Sequence, residues 1–212
     1  MSIGYRLAPE HPLPAPFEDC FDAILYLADR GPELFEAPLM FVCGESAGAL
    51  ASVQSVLHLV ESRPGHQLLG VMLLYGTYDL SLSLPSAVTA KSTPVVDREA
   101  LMRFNSALCP GMDITDLRRP SVSALYADLA QVASKHSSNM LPPALFICGT
   151  LDPLLDENVL MSIKWKSASV GTIGQIYPGA PHAFTMMPDL ETAKAAREAT
   201  VTFVRTRLTN SS

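Results

Sequence analysis

Leu39-Met40-Phe41-Val42-Cys43-Gly44-Glu45-Ser46-Ala47-Gly48 decides how the rest of this chain is read. Leu39 to Cys43 is a short continuous apolar run ending in Gly44, the pattern of a strand buried on both faces. Ala47 to about Glu61 reads as helix, ended by Arg63-Pro64-Gly65. Gly44-Glu45-Ser46-Ala47-Gly48 therefore occupies the turn from a buried strand into a helix, and it matches G-x-S-x-G. Such a turn is so tight that only small residues are expected beside the serine, which is held out above the sheet. The five-residue pattern carries little weight alone. Strand, turn and helix together make Ser46 a candidate nucleophile.

The same rhythm recurs downstream. Leu69 to Tyr75 and Ala144 to Cys148 read as two further buried strands, and Thr172 to Tyr177 as a weaker fourth. Helical patterns over about 157–169 and 189–207 separate or follow the last two. Buried strands alternating with helices predict an α/β fold, a mostly parallel sheet covered on both sides. Upstream, Tyr5 to Pro16 is punctuated by Pro9, Pro12, Pro14 and Pro16 and reads as an extended, rigid connection. Phe17 to about Arg30 reads as helix, with Glu18 and Asp19 in the first turn where the helix dipole favours acids, and Gly31-Pro32 is expected to stop it. Between Asp79 and Pro143 the rhythm fails. Helices are expected near 97–108 and 122–135, within an insertion too long for a structureless loop, read as a cap over the strand ends. Residues 1–212 thus read as a single domain with a cap insertion at about 80–143.

Composition narrows the function classes. Hydrophobic residues make up 48% and charged residues 17%, which supplies a core and excludes a disordered chain. A net charge of −6 with scattered lysines and arginines argues against nucleic acid and against anionic membrane surfaces. No apolar stretch is long enough to span a membrane, and Met1 to Arg6 lacks the basic and apolar regions of a signal peptide, so the chain reads as cytoplasmic. Cys20, Cys43, Cys109 and Cys148 show no C-x-x-C spacing and read as reduced, buried thiols; no metal and no cofactor are expected.

A serine hydroxyl is a poor nucleophile at neutral pH and needs a general base oriented by an acid. The chain offers both, each just beyond a strand. Asp152 follows the strand ending at Cys148, in Gly149-Thr150-Leu151-Asp152-Pro153-Leu154. His182 follows Tyr177, in Pro178-Gly179-Ala180-Pro181-His182-Ala183-Phe184. Alone, Asp152 reads as a helix cap, and Asp156 and Glu157 compete with it in the first turn of the next helix. His11, His58, His66 and His136 have plainer explanations, because only His182 follows a core strand. Leu80, Leu154, Met186 and Met187 are candidates to line a substrate pocket, with core packing the plainer role for each.

Four blocks in order now carry a resemblance: Tyr5-Arg6-Leu7-Ala8-Pro9-Glu10-His11-Pro12, Gly44-Glu45-Ser46-Ala47-Gly48, Gly149-Thr150-Leu151-Asp152-Pro153-Leu154 and Tyr177-Pro178-Gly179-Ala180-Pro181-His182-Ala183-Phe184. Across nearly its whole length the chain resembles the hormone-sensitive-lipase-like carboxylesterases, the α/β-hydrolase-3 family. The resemblance implies the α/β-hydrolase fold and hydrolysis of short to medium acyl esters through an acyl-enzyme on Ser46. Asp152 and His182 complete the implied triad, and the N–H of Ala47 is an implied oxyanion donor. Glu45 stands where the family more often has aspartate. Family members also carry a His-Gly-Gly-Gly type block upstream of the Tyr-Arg-Leu-Ala-Pro-Glu block, supplying further oxyanion donors, and this chain shows none. By that comparison the first strands of the sheet are missing, and about 80 to 120 further N-terminal residues are expected, within the size of a single α/β domain. The strand over 39–43 would then have an unpaired apolar edge, open to self-association. Two other readings stay open: a truncated, catalytically impaired hydrolase remnant, and a relative of this fold that binds a small apolar ligand.

Overall fold

The computed structural model describes residues 1–210. Its four strands are β1 (Phe41–Glu45), β2 (Gly70–Leu74), β3 (Ala144–Gly149) and β4 (Ile173–Tyr177), forming a wholly parallel sheet in the order β1-β2-β3-β4. Cys43 lies opposite Met72, Met72 opposite Leu145, and Leu145 opposite Ile173. The helices are α1 (Ala15–Phe35) and α2 (Ala47–Ser62), then α3 (Pro85–Thr89), α4 (Arg98–Leu108), α5 (Ile114–Leu117) and α6 (Leu129–Ala133) between β2 and β3, and finally α7 (Leu155–Ser167) and α8 (Glu191–Asn210).

Successive strand side chains point to opposite faces, and both faces of β2 and β3 are covered. Val71, Leu73, Ala144 and Phe146 join an apolar cluster with α1, α2 and Trp165 of α7. Met72, Leu74, Leu145 and Ile147 join a second one with Ala193, Ala196 and Phe203 of α8. That double burial is why both strands are continuous apolar runs in the sequence. Among the described residues no helix is long and apolar enough to cross a membrane.

Several sequence expectations need correction. The first strand lies two residues later than its apolar run and forms one edge of the sheet among the described residues, so it is half-buried, with Cys43 exposed, rather than enclosed. Cys43 on it is exposed, whereas Cys20, Cys109 and Cys148 are buried; all four are free thiols. Gly31-Pro32 does not stop α1, which continues to Phe35. A proline this close to a helix end forfeits little of the hydrogen-bond ladder, and the ion pair from Arg30 to Glu33 at 2.9 Å spans it. Glu36, with φ of 54°, then ends the helix in the left-handed region. The helix expected over 122–135 is divided, because the Asp128 carboxylate accepts the Gln131 N–H and caps α6. Residues 124–126 form a separate 3₁₀ turn. Helices α3 and α5 were not expected at all, being too short to show periodicity.

Candidate active site

The turn from β1 into α2 sets Ser46 at φ 52° and ψ −119°, a sparsely populated conformation for a residue with a side chain. Its N–H donates to the Leu74 carbonyl at 3.0 Å, and its own carbonyl accepts from Ala49 N–H at 3.0 Å and Thr77 N–H at 3.3 Å. Of the two flanking glycines only Gly44 is sterically required. A Cβ there would lie 2.1 Å from the Gly48 carbonyl oxygen, while a Cβ on Gly48 would meet nothing within 4 Å. Ala47 is the first residue of α2, so its N–H is one of the donors that a helix start leaves without an intrahelical partner.

Two loops bring the other candidates to Ser46. After β3 the chain turns through Thr150 and Leu151, whose N–H groups donate to the Tyr177 and Ala180 carbonyls at 3.0 Å each. Gly179 N–H donates back to Thr150 Oγ1 at 2.8 Å, fastening the loop after β4 to the loop after β3. The structure thereby brings Ser46, His182 and Asp152 together. Ser46 Oγ is 2.9 Å from His182 Nε2, and His182 Nδ1 is 2.9 Å from Asp152 Oδ2. The other carboxylate oxygen, Oδ1, accepts the Leu154 N–H at 2.9 Å. The Asp152 side chain is fully buried and that of His182 nearly so. A carboxylate on Nδ1 holds the imidazole proton there and leaves Nε2 free to accept from the serine hydroxyl.

Asp156 and Glu157 point elsewhere. Asp156 Oδ2 accepts the Ser86 N–H at 2.8 Å, and its own N–H donates to Ser86 Oγ at 3.1 Å, which ties α3 to the start of α7. Glu157 is buried and accepts the N–H groups of Tyr78 and Asp79. Burial first, with the nearby charges of Asp79 and Asp152, pushes its carboxyl well above the ordinary range. Ala47 takes no part in the chain of side-chain hydrogen bonds; what it contributes is a backbone donor beside Ser46. Leu80 and Leu154 are core residues, while Met186 is exposed on the 3₁₀ turn after His182. His136 is buried, with Nδ1 against Ser138 Oγ at 2.7 Å and Nε2 against the His66 carbonyl at 3.0 Å.

Tyr75 also faces the site, though the sequence does not mark it. Its ring stands edge-on to His182 with centroids 5.1 Å apart, and its hydroxyl is 2.6 Å from Thr185 Oγ1. Burial holds its phenol well above the usual range, so it stays neutral. In the sequence it is the last residue of an apolar run, and nothing local marks its contact with a histidine so far along the chain. A groove of about 570 Å³ runs along the outer side of β1, lined by Ile3, Tyr5, Ile24, Cys43 and Gly48 among others; Ser46 and His182 do not line it.

The chain is 30% identical over 188 residues to carboxylesterase NlhH of Mycobacterium tuberculosis, covering 87% of this chain and 56% of that protein. It is 29% identical over 191 residues to the ethyl acetate hydrolase of Pseudomonas putida, covering 88% of this chain and 56% of that protein. Among solved structures it is similar to an esterase from Pyrobaculum calidifontis, with TM-score 0.77, 29% identity, and coverage of 91% of this chain and 60% of that one. The chain spans about half the length of the curated relatives it matches. A family model described as alpha/beta hydrolase fold matches residues 1–186, so the chain, with its parallel sheet and its serine at the turn after β1, belongs to the α/β-hydrolase-3 family.

Proposed function

We propose that this protein is a serine hydrolase that cleaves short to medium acyl carboxylic esters through an acyl-enzyme. The observation that carries the reading is the unbroken line Ser46 Oγ, His182 Nε2, His182 Nδ1, Asp152 Oδ2, with both separations at 2.9 Å. In the first half-reaction His182 Nε2 takes the Ser46 hydroxyl proton while Oγ bonds to the ester carbonyl carbon. The tetrahedral intermediate collapses, the C–O bond to the alcohol breaks, and His182 returns the proton to the departing alkoxide. Water then attacks the acyl-enzyme in the same way and releases the acid. Asp152 holds the imidazole in the required tautomer and offsets its charge. Ala47 N–H is the oxyanion donor in this scheme, since an unpartnered helix-start N–H beside the nucleophile faces developing negative charge. Similarity to proteins named carboxylesterase and ethyl acetate hydrolase supports an ester with a short acyl group as the substrate class. Residues 80–143 act as a cap in this reading, with Ser86 and Asp156 fastening it beside the loop that carries Asp152.

The outer edge of β1 lies on a largely apolar groove and has no strand beside it among the described residues. We further propose that it takes a second copy of the 212-residue chain when that chain is alone in solution.

Hydrolysis of short nitrophenyl esters and labelling by a fluorophosphonate test the main reading. Both are expected in the wild type, with the label on Ser46, and both are lost in Ser46→Ala. Hydrolysis that persists unchanged in Ser46→Ala overturns the mechanism. A protein that binds small apolar esters without turning them over or taking the label is instead a ligand-binding relative.

A further inference from the structure

Helix α7 begins three residues after Asp152, and its first turns carry Glu157 and Asn158, each 2% exposed. A carboxyl and an amide withdrawn from water so completely need partners inside the protein. Those partners are backbone groups in the turn that leaves β2. Glu157 Oε2 accepts the N–H of Tyr78 in a short hydrogen bond and that of Asp79 at 2.5 Å. Asn158 meets both polar groups of Gly76: Oδ1 accepts its N–H at 3.0 Å, and Nδ2 donates to its carbonyl at 2.7 Å.

The turn gripped in this way touches the candidate triad on two sides. Thr77 N–H donates to the Ser46 carbonyl at 3.3 Å, and Tyr75 stands edge-on to His182. Asn158 reaches the third side through one residue: Nδ2 donates to the Leu154 carbonyl at 2.8 Å, and Leu154 N–H donates to Asp152 Oδ1 at 2.9 Å. There is little slack in the turn, since a Cβ on Gly76 would come within 2.3 Å of Tyr78 Oη and 2.7 Å of Ala49 Cβ. The start of α7, next to the acid loop, and the turn after β2 are thus joined by buried hydrogen bonds across roughly eighty residues of sequence.

We infer that Glu157 and Asn158 are positioning residues, which hold the Asp152 loop at a set distance from the Tyr75–Asp79 turn and so fix the Ser46–His182–Asp152 spacing. The inference rests on reading those three residues as a catalytic triad. Neither positioning residue hydrogen-bonds to Ser46 or His182; each acts through backbone that does, or that adjoins a residue that does.

Glu157→Ala, Asn158→Ala, Glu157→Gln and Glu157→Asp in the full chain test it. The amide keeps an oxygen where Oε2 stands, whereas aspartate keeps the carboxyl group and withdraws the acceptor by one methylene. A misplacement of about 1 Å costs about 10² in rate, so kcat on a short nitrophenyl ester should fall about 10²-fold in each alanine variant with KM little changed. Glu157→Gln should restore kcat to within about tenfold of wild type, and Glu157→Asp should fall below it, because the position of the acceptor matters more than its being a carboxyl. The downfield proton NMR signal of His182 Nδ1–H gives a readout that does not depend on turnover. It should be sharp in wild type and Glu157→Gln, and shifted or broadened in alanine variants whose circular dichroism stays native. Natively folded alanine variants with unchanged kcat and an unchanged His182 signal overturn the inference. If the alanine variants do not fold, wild-type values in both Glu157→Gln and Glu157→Asp overturn it equally. Loss of the His182 signal in the alanine variants of a wild type that turns over no ester supports the positioning role while the esterase reading falls.

Discussion

Ser46 sits in backbone space that costs a side-chain-bearing residue about 1–3 kcal/mol, and backbone hydrogen bonds to Leu74 of β2, to Thr77 just beyond it and to Ala49 in α2 restrain it there. Glu157 is a second residue held against its preference. Its carboxyl, raised by burial and by the charges of Asp79 and Asp152, binds a proton more tightly in the folded chain than in the unfolded one. Tyr78, which donates its backbone N–H to it, carries a phenol that burial first, and then the charge of Glu157, pushes well above the ordinary range. A group raised on folding stabilises the fold fully below its unfolded pKa and loses that contribution as pH rises through the folded value. Stability should therefore decline with rising pH on account of Glu157, at up to about 1.4 kcal/mol per pH unit within that window. Urea midpoints of wild type and Glu157→Gln at pH 5 and pH 8 measure this. The stability of the variant relative to wild type is expected to improve from pH 5 to pH 8, and a constant difference would show that Glu157 does not titrate in that range.

The loops after β3 and β4 behave as one unit. Thr150, Leu151 and Gly179 fasten them by hydrogen bonds, and Gly149 lies so close to Ala180 that a Cβ would stand 2.0 Å from its carbonyl oxygen. That carbonyl is backbone and can move only by shifting the segment that carries His182. Gly149→Ala should consequently displace His182 from Ser46 and slow fluorophosphonate labelling by about 10²-fold, the scale of a 1 Å error in placement. Labelling at the wild-type rate would show that the loop can yield without moving the histidine. At Gly48, where a Cβ meets nothing within 4 Å, alanine should be tolerated in the same assay. The two glycines of G-x-S-x-G are thus unequal here, with Gly44 the one whose hydrogen is required.

The sheet has two outer strands, and they differ. β4 exposes Ile173 and Ile176, each 42% accessible, while β1 lies along an open groove of about 570 Å³. An unpaired strand edge beside apolar surface is a template for another strand. Light scattering on the purified 212-residue chain should show concentration-dependent association, reduced in Cys43→Lys, which places a charge on the exposed residue of β1. A chain that remains monomeric at all accessible concentrations would argue that the edge is sufficiently shielded as it stands.

Periodicity makes much of this legible in the sequence itself. Runs over 69–75 and 144–148 are strands because both faces of β2 and β3 are buried, and burial on two faces leaves a continuous apolar signature. Ser46, Asp152 and His182 could each be placed beyond a strand, and the order of the motif blocks pointed to the family. Less could be read where structure is short or strained. α1 runs through Gly31-Pro32, and Asp128 divides what looked like one helix, because a single proline or cap is decided by local hydrogen bonds rather than by period. The motif blocks favoured Asp152 over its neighbours, and the tertiary structure shows where each of the three nearby carboxyls goes. Asp152, Asp156 and Glu157 lie within six residues, and the start of α7 turns them toward His182, Ser86 and the Tyr78–Asp79 backbone respectively. The contacts of Tyr75 with His182 and of Asn158 with Gly76 are silent in the sequence. A residue's neighbours along the chain encode its burial and its dihedral preference, whereas its partner across the fold depends on the path of every segment between them.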